Sequence, residues 1–458
     1  MECLSEGGRI FLINTQEQVW QSTPPLRGRE VLSGAFFWLS AFYFVYCARP
    51  EDWIPGLKYI PLAKVTSLFT LLALIMSVGK TSRRFRDLPK EARYLIALIG
   101  LLIPSALLSP VWKGGALTHS LDFGKVAVAW VLTFLVVTSL ARLRRIIFIQ
   151  AASVATIAAV SLVKGHNTPR LEGVLGGIYS NPNDLAFAIV LSLPFCLAFL
   201  LRTRSLLRKV LWAFAMLLMA AALLQTASRG GFIEFAVAGT VCLWHFGVKG
   251  RRPQLVVAAA LVGVALLMLA GGRMKERFFA ISGDEITSKL DQSAYGSYEE
   301  RRELMIKSVQ GMAHYPILGV GAHNFVTYSG RWKEVHNSYL QMGVEGGIPA
   351  LILYLIFFGS GFANLKRLRK RRDLDAETTL FVGALHSSLV GFVVGALFAP
   401  EAYQFFPYFA VAQTSVILAI VQEQEPAAVS SAELSKPPQI QAAGYRRSEI
   451  PQPVPYVR

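Results

Sequence analysis

Charge is scarce in this chain. Asp, Glu, Lys and Arg make up 16% of its 458 residues, against about 25% in a soluble protein. That shortfall excludes a large solvated globular surface. Acidic residues are the scarcer sign, 29 against 46 Lys and Arg. There are four cysteines, at positions 3, 47, 196 and 242, and no pair has the spacing of a disulfide framework or a metal site. The seven histidines form no H-E-x-x-H or related pattern, so neither a metal nor another cofactor is expected. Short segments of alternating polarity are missing, which excludes a membrane β-barrel. No internal repeat stands out, which weakens the case for a transporter built of inverted halves without removing it.

Apolar residues are what the chain has in quantity: 53% of the total, with mean hydropathy +0.44. The runs are long enough to cross a hydrocarbon core of about 30 Å. The fold class expected is an all-α polytopic membrane protein. Twelve spans can be read, at 31–47, 58–78, 93–109, 121–140, 145–163, 185–201, 206–225, 230–248, 254–270, 348–365, 377–398 and 402–422. The first is read as a retained span rather than a signal peptide. The expected organisation is an N-terminal segment 1–30, nine spans over 31–270, a polar loop 271–347, three spans over 348–423 and a tail 424–458. The tail is rich in Pro, Ser, Gln and Glu and is expected to be disordered.

The formal charge of +17 suggests a nucleic-acid binder only until its placement is considered. KTSRRFRDLPKEAR, RLRR, RTRSLLRK, KGRR and KRLRKRRD fall in alternate linkers, and the opposite linkers are poor in Lys and Arg. Cytoplasmic loops carry such an excess. Both termini are therefore expected in the cytoplasm, with loops 48–57, 110–120, 164–184, 226–229, 271–347 and 399–401 facing outward. The basic linkers would meet anionic lipid headgroups, and no nucleic acid is expected.

The polar residues that invite a chemical reading lie on the outward side. In NTPRLEGVLGGIYSNPNDLAF, Arg170 would contact an anionic ligand, Glu172 or a lipid phosphate, while Asn183 or Asp184 would cap the next helix. In QTASRGGFIEF, Arg229 sits in a very short turn with two glycines, two hydroxyls and a helix N-terminus, a combination suited to phosphate. Glu234 lies inside the span, where an acid is usually paired, with Arg229 as a possible partner. The loop SYEERRELMIKSVQGMAHYPILGVGAHNF reads as an amphipathic helix over 298–313, with Leu304, Met305, Val309 and Met312 as its apolar stripe. Arg301 and Arg302 open that helix beside Glu299, Glu300 and Glu303, so a solvated face competes with a ligand role. His336 follows with Asn337, Ser338 and Tyr339. A histidine exchanges protons near neutral pH, and one that takes the proton of a hydroxyl makes a better nucleophile of it. Glu345 would orient that ring or cap the span. His386 falls mid-span, as a packing or relay residue.

These segments resemble the O-antigen ligase superfamily, bacterial inner-membrane enzymes that include O-antigen ligases and Wzy-type polysaccharide polymerases. PRLEGVLGGIYSNPNDLA, TASRGG, RRELM followed by HYPILGVGAHNF, and HNSYLQMGVEGGIPALILY carry the likeness. ARPEDWIPGLKYIPL resembles members found with exopolysaccharide genes. The resemblance implies a GT-C-like architecture and a metal-independent, inverting glycosyltransferase. Its donor would be a glycan on undecaprenyl pyrophosphate, used at the periplasmic face. The acceptor would be a saccharide, a lipid A-core or a growing polysaccharide, and other polysaccharide-assembly proteins are possible partners. It also implies roles: Arg229 and Arg301 bind pyrophosphate, with Arg302 a neighbour of the latter, and His336 serves as base or acceptor-positioning group. Arg170 and Asn183 fit a further family pattern, while Asn337 and Glu345 are substrate-side candidates. Ligases commonly place Gly, Thr or Tyr where this chain has Ala350, so ligase and polymerase remain alternatives.

Overall fold

A computed structural model describes residues 32–77, 83–164, 170–171, 179, 181–279 and 289–434. Among these residues the regular structure is helical throughout. The helices are α1 (Ser33–Ala48), α2 (Leu62–Ile75), α3 (Lys90–Leu107), α4 (Lys113–Val136), α5 (Leu140–Lys164), α6 (Pro182–Arg202) and α7 (Leu206–Thr226). They continue as α8 (Arg229–Cys242), α9 (Pro253–Phe279), α10 (Lys289–His314), α11 (Ser338–Lys370), α12 (Ala376–Gly395) and α13 (Phe405–Leu434). α8 runs on through a π-helical stretch, Leu243–Val248. Every expected span falls on one of these helices, and the polar loop holds α10 and a short helical turn, Phe325–Tyr328. Eight of the described helices are long and apolar enough to cross a membrane; α1, α2 and the Pro253–Ala265 part of α9 are shorter apolar helices. The protein is a multi-pass helical membrane protein.

Side-chain distribution follows from that solvent. α6 and α13 are largely enclosed, whereas α7 turns Leu207, Val210, Leu211, Phe214 and Leu217 outward. Lipid removes the penalty water would impose on such a face. Buried polar contacts fix helix pairing: Asn364 Nδ2 donates to Glu91 Oε1 (3.0 Å) and Ser415 Oγ (3.2 Å), and Gln413 Nε2 donates to Gln150 Oε1 (2.9 Å). Arg83, also buried, donates to the Phe134 and Val137 carbonyls and pairs with Glu423 at 2.7 Å. His386 belongs to a contact at the opposite end from His336, with Nδ1 3.0 Å from His245 Nε2 and Arg369 at its Nε2.

Several helix limits depart from the sequence reading, among them the starts of α4 at Lys113 and α10 at Lys289, and three further ones bear on the architecture. α9 runs nine residues past 270 and α13 continues to Leu434, so residues 424–434 extend a helix. The rest of the expected tail and the first 31 residues lie outside the described part. The third departure shapes the site. α11 starts at Ser338, ten residues before the expected span, and breaks at Gly347, where φ is 81° and ψ 174°. Only glycine occupies that region readily. The break frees carbonyls that a continuous helix would use. Val320 N–H donates to the Val344 carbonyl (2.9 Å), Gly321 N–H to that of Glu345 (2.9 Å), and Ile348 N–H to the Pro316 carbonyl (2.7 Å). Gly319 and Gly321 have positive φ, as the turn after Pro316 requires; a Cβ on Gly319 would lie 2.5 Å from the Glu345 carbonyl carbon. Hydrophobic periodicity carries no mark of such a break, so the short segment Ser338–Gly346 reads as loop.

Candidate functional site

His336 immediately precedes the first helical part of α11. Asn337 caps that part, its Oδ1 accepting from the Tyr339 and Leu340 N–H groups (both 3.0 Å). Ser338, fully buried, donates its N–H to the Ala396 carbonyl (2.7 Å) and its hydroxyl to the Ala399 carbonyl (2.7 Å), and accepts from Glu401 N–H (2.9 Å). Asn337 Nδ2 reaches the Leu397 carbonyl at 3.4 Å. The backbone carrying His336 is thus fastened to residues 396–404, the connection between α12 and α13.

α10 supplies the other wall. Its buried face is Leu304, Ser308 and Gly311, spaced four and three residues apart. Leu304 packs with Val320, Phe325, Val335 and Val344, and Gly311 lets Tyr328 and Val344 approach. Met305 and Val309, expected in the apolar stripe, are exposed because this docking selects a different face. The same rotation separates the adjacent arginines. Arg301 is half-buried beside His336, whereas Arg302 is 62% exposed and pairs with Glu299 at 3.7 Å. Arg302 therefore sits outside the Arg301–His336 pair.

Burial depresses the His336 pKa to about 4, and the Arg301 charge adds to that effect while Glu300 opposes it. The ring is neutral over the physiological range, as a proton acceptor must be. Its Nδ1 is buried and has no hydrogen-bond partner among the described residues. If the neutral ring is the working form, activity is present at neutral pH and lost as pH falls through the folded value. We expect kcat/KM to stay level through pH 6.5 and decline with a midpoint near 4. Binding an anionic donor at Arg301 would offset that charge, so the midpoint of kcat should lie higher. A break near 6.5 in kcat/KM would contradict this assignment.

The second group forms where α6 meets the α7–α8 turn. Asn181, rather than Asn183 or Asp184, caps α6: its Oδ1 accepts from Asn183 N–H at 3.0 Å. Asn183 instead accepts Ser228 Oγ–H (2.8 Å) and Arg170 Nη2 (3.3 Å), and Arg170 Nε donates to the Thr226 carbonyl (3.0 Å). Arg170 braces the turn that carries Arg229. The expected alternative partner Glu172 lies outside the described residues. Ser228 caps α8, its oxygen taking Gly231 N–H (3.2 Å), so that N–H is already committed. Arg229 is the first residue of α8 and half-buried. A Cβ on Gly230 would lie 2.7 Å from Phe398 Cβ. The Arg229 turn thus abuts the same connection that anchors His336. Arg301 and His336 are neighbours; Arg229 reaches their end of the bundle across residues 397–398.

Buried carboxyl groups lie at the same end of the bundle. Glu234 is buried against Gly391 and Gly395; it forms no ion pair with Arg229, because the helix points the two residues differently. Glu345 is buried beside Tyr403 and the His323 and Phe325 backbone. It neither orients His336 nor caps α11. Ala350 is fully buried, and Gly346 packs on it closely enough that an added Cβ would come within 2.5 Å of Ala350 Cβ. The departure at 350 is therefore a packing feature of the helix break. Sequence reasoning passed over Glu401. Its carboxyl meets that of Asp184, and burial together with this neighbour holds Glu401 well above the usual carboxylate range. An acid in a three-residue connection between two spans, APE, was the available signal.

Helices of membrane-crossing length with Arg229, Arg301 and His336 at one end define a multi-pass membrane protein with a polar site at that end. Residues 214–355 match the family model described as O-antigen ligase, and over that segment the chain is similar to the O-antigen ligase superfamily. That match supports a function of the general O-antigen ligase and polymerase type. The matched segment contains Arg229, Arg301 and His336, and leaves out Arg170, Asn183 and Glu401. Comparison with curated proteins returned no match.

Proposed function

We propose that the protein transfers a glycan from undecaprenyl pyrophosphate to an acceptor hydroxyl at the periplasmic face of the bacterial inner membrane. The observation that carries this reading is a half-buried His336 with Arg301 near it on the facing helix, both inside the segment that matches the family model. The acceptor oxygen attacks the anomeric carbon as its proton passes to His336. The bond from that carbon to the pyrophosphate oxygen breaks, and the oxygen leaves with the electron pair. Arg301 and Arg229 stabilise the growing charge, as paired guanidinium groups do well in a partly dry site. One displacement inverts the anomeric centre, and no step calls on a metal. Asn337 and Arg170 act through the backbone they hold, and Asn183 through Ser228. Termini in the cytoplasm and a site facing outward follow from the charge pattern of the linkers.

Polymerisation of lipid-linked repeats is the second reading, because the same site would serve a sugar hydroxyl on a growing chain. The experiment supplies purified protein with a lipid-linked repeat, with and without a lipid A-type acceptor, and resolves products by length. One-step capping of the added acceptor supports ligation; a ladder of longer lipid-linked chains supports polymerisation. Anomeric NMR of either product should report inversion relative to the donor. Retention would overturn the single-displacement mechanism, and the absence of any turnover would favour a transporter or an export scaffold.

A further inference from the structure

At the end of the bundle remote from His336, a cavity of about 610 Å³ opens among α1, α5, α6 and α7. Arg142, Arg144, Arg145, Arg202 and Arg208 line it. Glu377 of α12 is the carboxylate that the described residues place in this group, pairing with Arg144 at 3.0 Å and Arg202 at 2.9 Å. Arg142 is buried, donating to the Val136 carbonyl at 3.1 Å with its guanidinium 5.2 Å from the Phe36 ring centroid. Arg145 and Arg208 are exposed, and neither makes an ion pair with a described residue. Five guanidinium groups around one cavity repel one another, and the repulsion is greatest where water is partly excluded.

The cavity's other wall is apolar. Phe199 and Trp212 stack with centroids 5.0 Å apart and planes at 11°, and Phe148 stands edge-on to both. A purely electrostatic site for a hydrated anion has no use for this surface. An amphiphile does, because its phosphate meets planar forked donors while its chain runs along the rings into the bilayer. The charge pattern assigns this end to the cytoplasmic leaflet, where basic pockets between helices hold anionic headgroups.

We propose that this cavity binds an anionic phospholipid of the cytoplasmic leaflet. The phosphate sits among Arg145, Arg208 and the Glu377-bridged pair, and an acyl chain lies against Phe148 and Trp212. The bound lipid joins the ends of α5, α6 and α7 and reduces the repulsion among their arginines.

The test uses the full chain in phosphatidylcholine nanodiscs, with or without about one-fifth phosphatidylglycerol or cardiolipin, reading retained lipid by native mass spectrometry after detergent release. Wild type should retain anionic lipid selectively. Each exposed arginine removed should weaken retention about fivefold, so Arg145→Gln with Arg208→Gln should weaken it about 25-fold. Arg251→Gln with Arg252→Gln, in the α8–α9 linker, should have no effect. Equal losses in the two double variants, or no loss in either, would overturn the site in favour of general attraction to the leaflet. Glycerol phosphate is the soluble competitor: if it displaces the lipid at millimolar concentration, the ligand is a free phosphate and the lipid proposal fails. Unchanged thermal unfolding of the variants separates loss of the ligand from loss of the fold.

Discussion

Alanine at His336 is expected to abolish glycan transfer while leaving the bundle intact. The residue lies outside the cap that Asn337 provides, and the anchoring bonds to residues 396–401 come from Asn337 and Ser338. Removing the ring orphans no buried partner at Nδ1. The donor's pyrophosphate is assigned to Arg229 and Arg301, so the affinity for a short-chain lipid pyrophosphate should change less than about twofold. Turnover should fall by about 10²- to 10⁴-fold, the usual contribution of a positioned base. The decisive measurement is single-turnover transfer alongside equilibrium binding. Wild-type turnover in the variant would remove His336 from the mechanism, and a parallel collapse of binding would move it to the donor site.

Gly347→Ala should be the most damaging single-methyl change in the C-terminal half. A Cβ there would lie 2.3 Å from the Ile317 carbonyl oxygen and 2.5 Å from its carbon, both backbone atoms, at φ 81°. Neither can yield without disturbing the bond from Ile348 N–H to the Pro316 carbonyl. The backbone conformation and the clash together should cost about 3 kcal/mol or more. Gly359→Ala on the same helix is the control, since a Cβ there meets nothing within 4 Å and alanine favours helix. Thermal unfolding in detergent compares them; equal midpoints would mean that α11 does not need its break.

The apolar helices were legible because apolar runs of bilayer length leave few alternatives. Arg229, Arg301 and His336 stood out because a polar residue beside a membrane is costly unless it has a task. What the sequence hid was rotation and closure. The α10 face could be drawn through Leu304, Met305, Val309 and Met312 on periodicity, yet Gly311 docks against Tyr328 and Val344, and that contact turns Met305 and Val309 outward. The cap at Asn181 was missed because three neighbouring polar residues offered the same hydrogen bond. Glu401 was missed because its importance depends on Asp184, which lies more than two hundred residues earlier in the chain.

Residues 396–404 touch the turn of Arg229 through Phe398 and hold the start of α11 through the carbonyls of Ala396, Leu397 and Ala399. The distance between the two sides of the site is thus gauged by one short piece of backbone, a ruler rather than a pair of independent posts. Changing a side chain on either post alters what is grasped but leaves the spacing as it was. On the proposed function, a wider or narrower substrate would call for a different ruler, and the length of this connection would limit which acceptors the bundle serves.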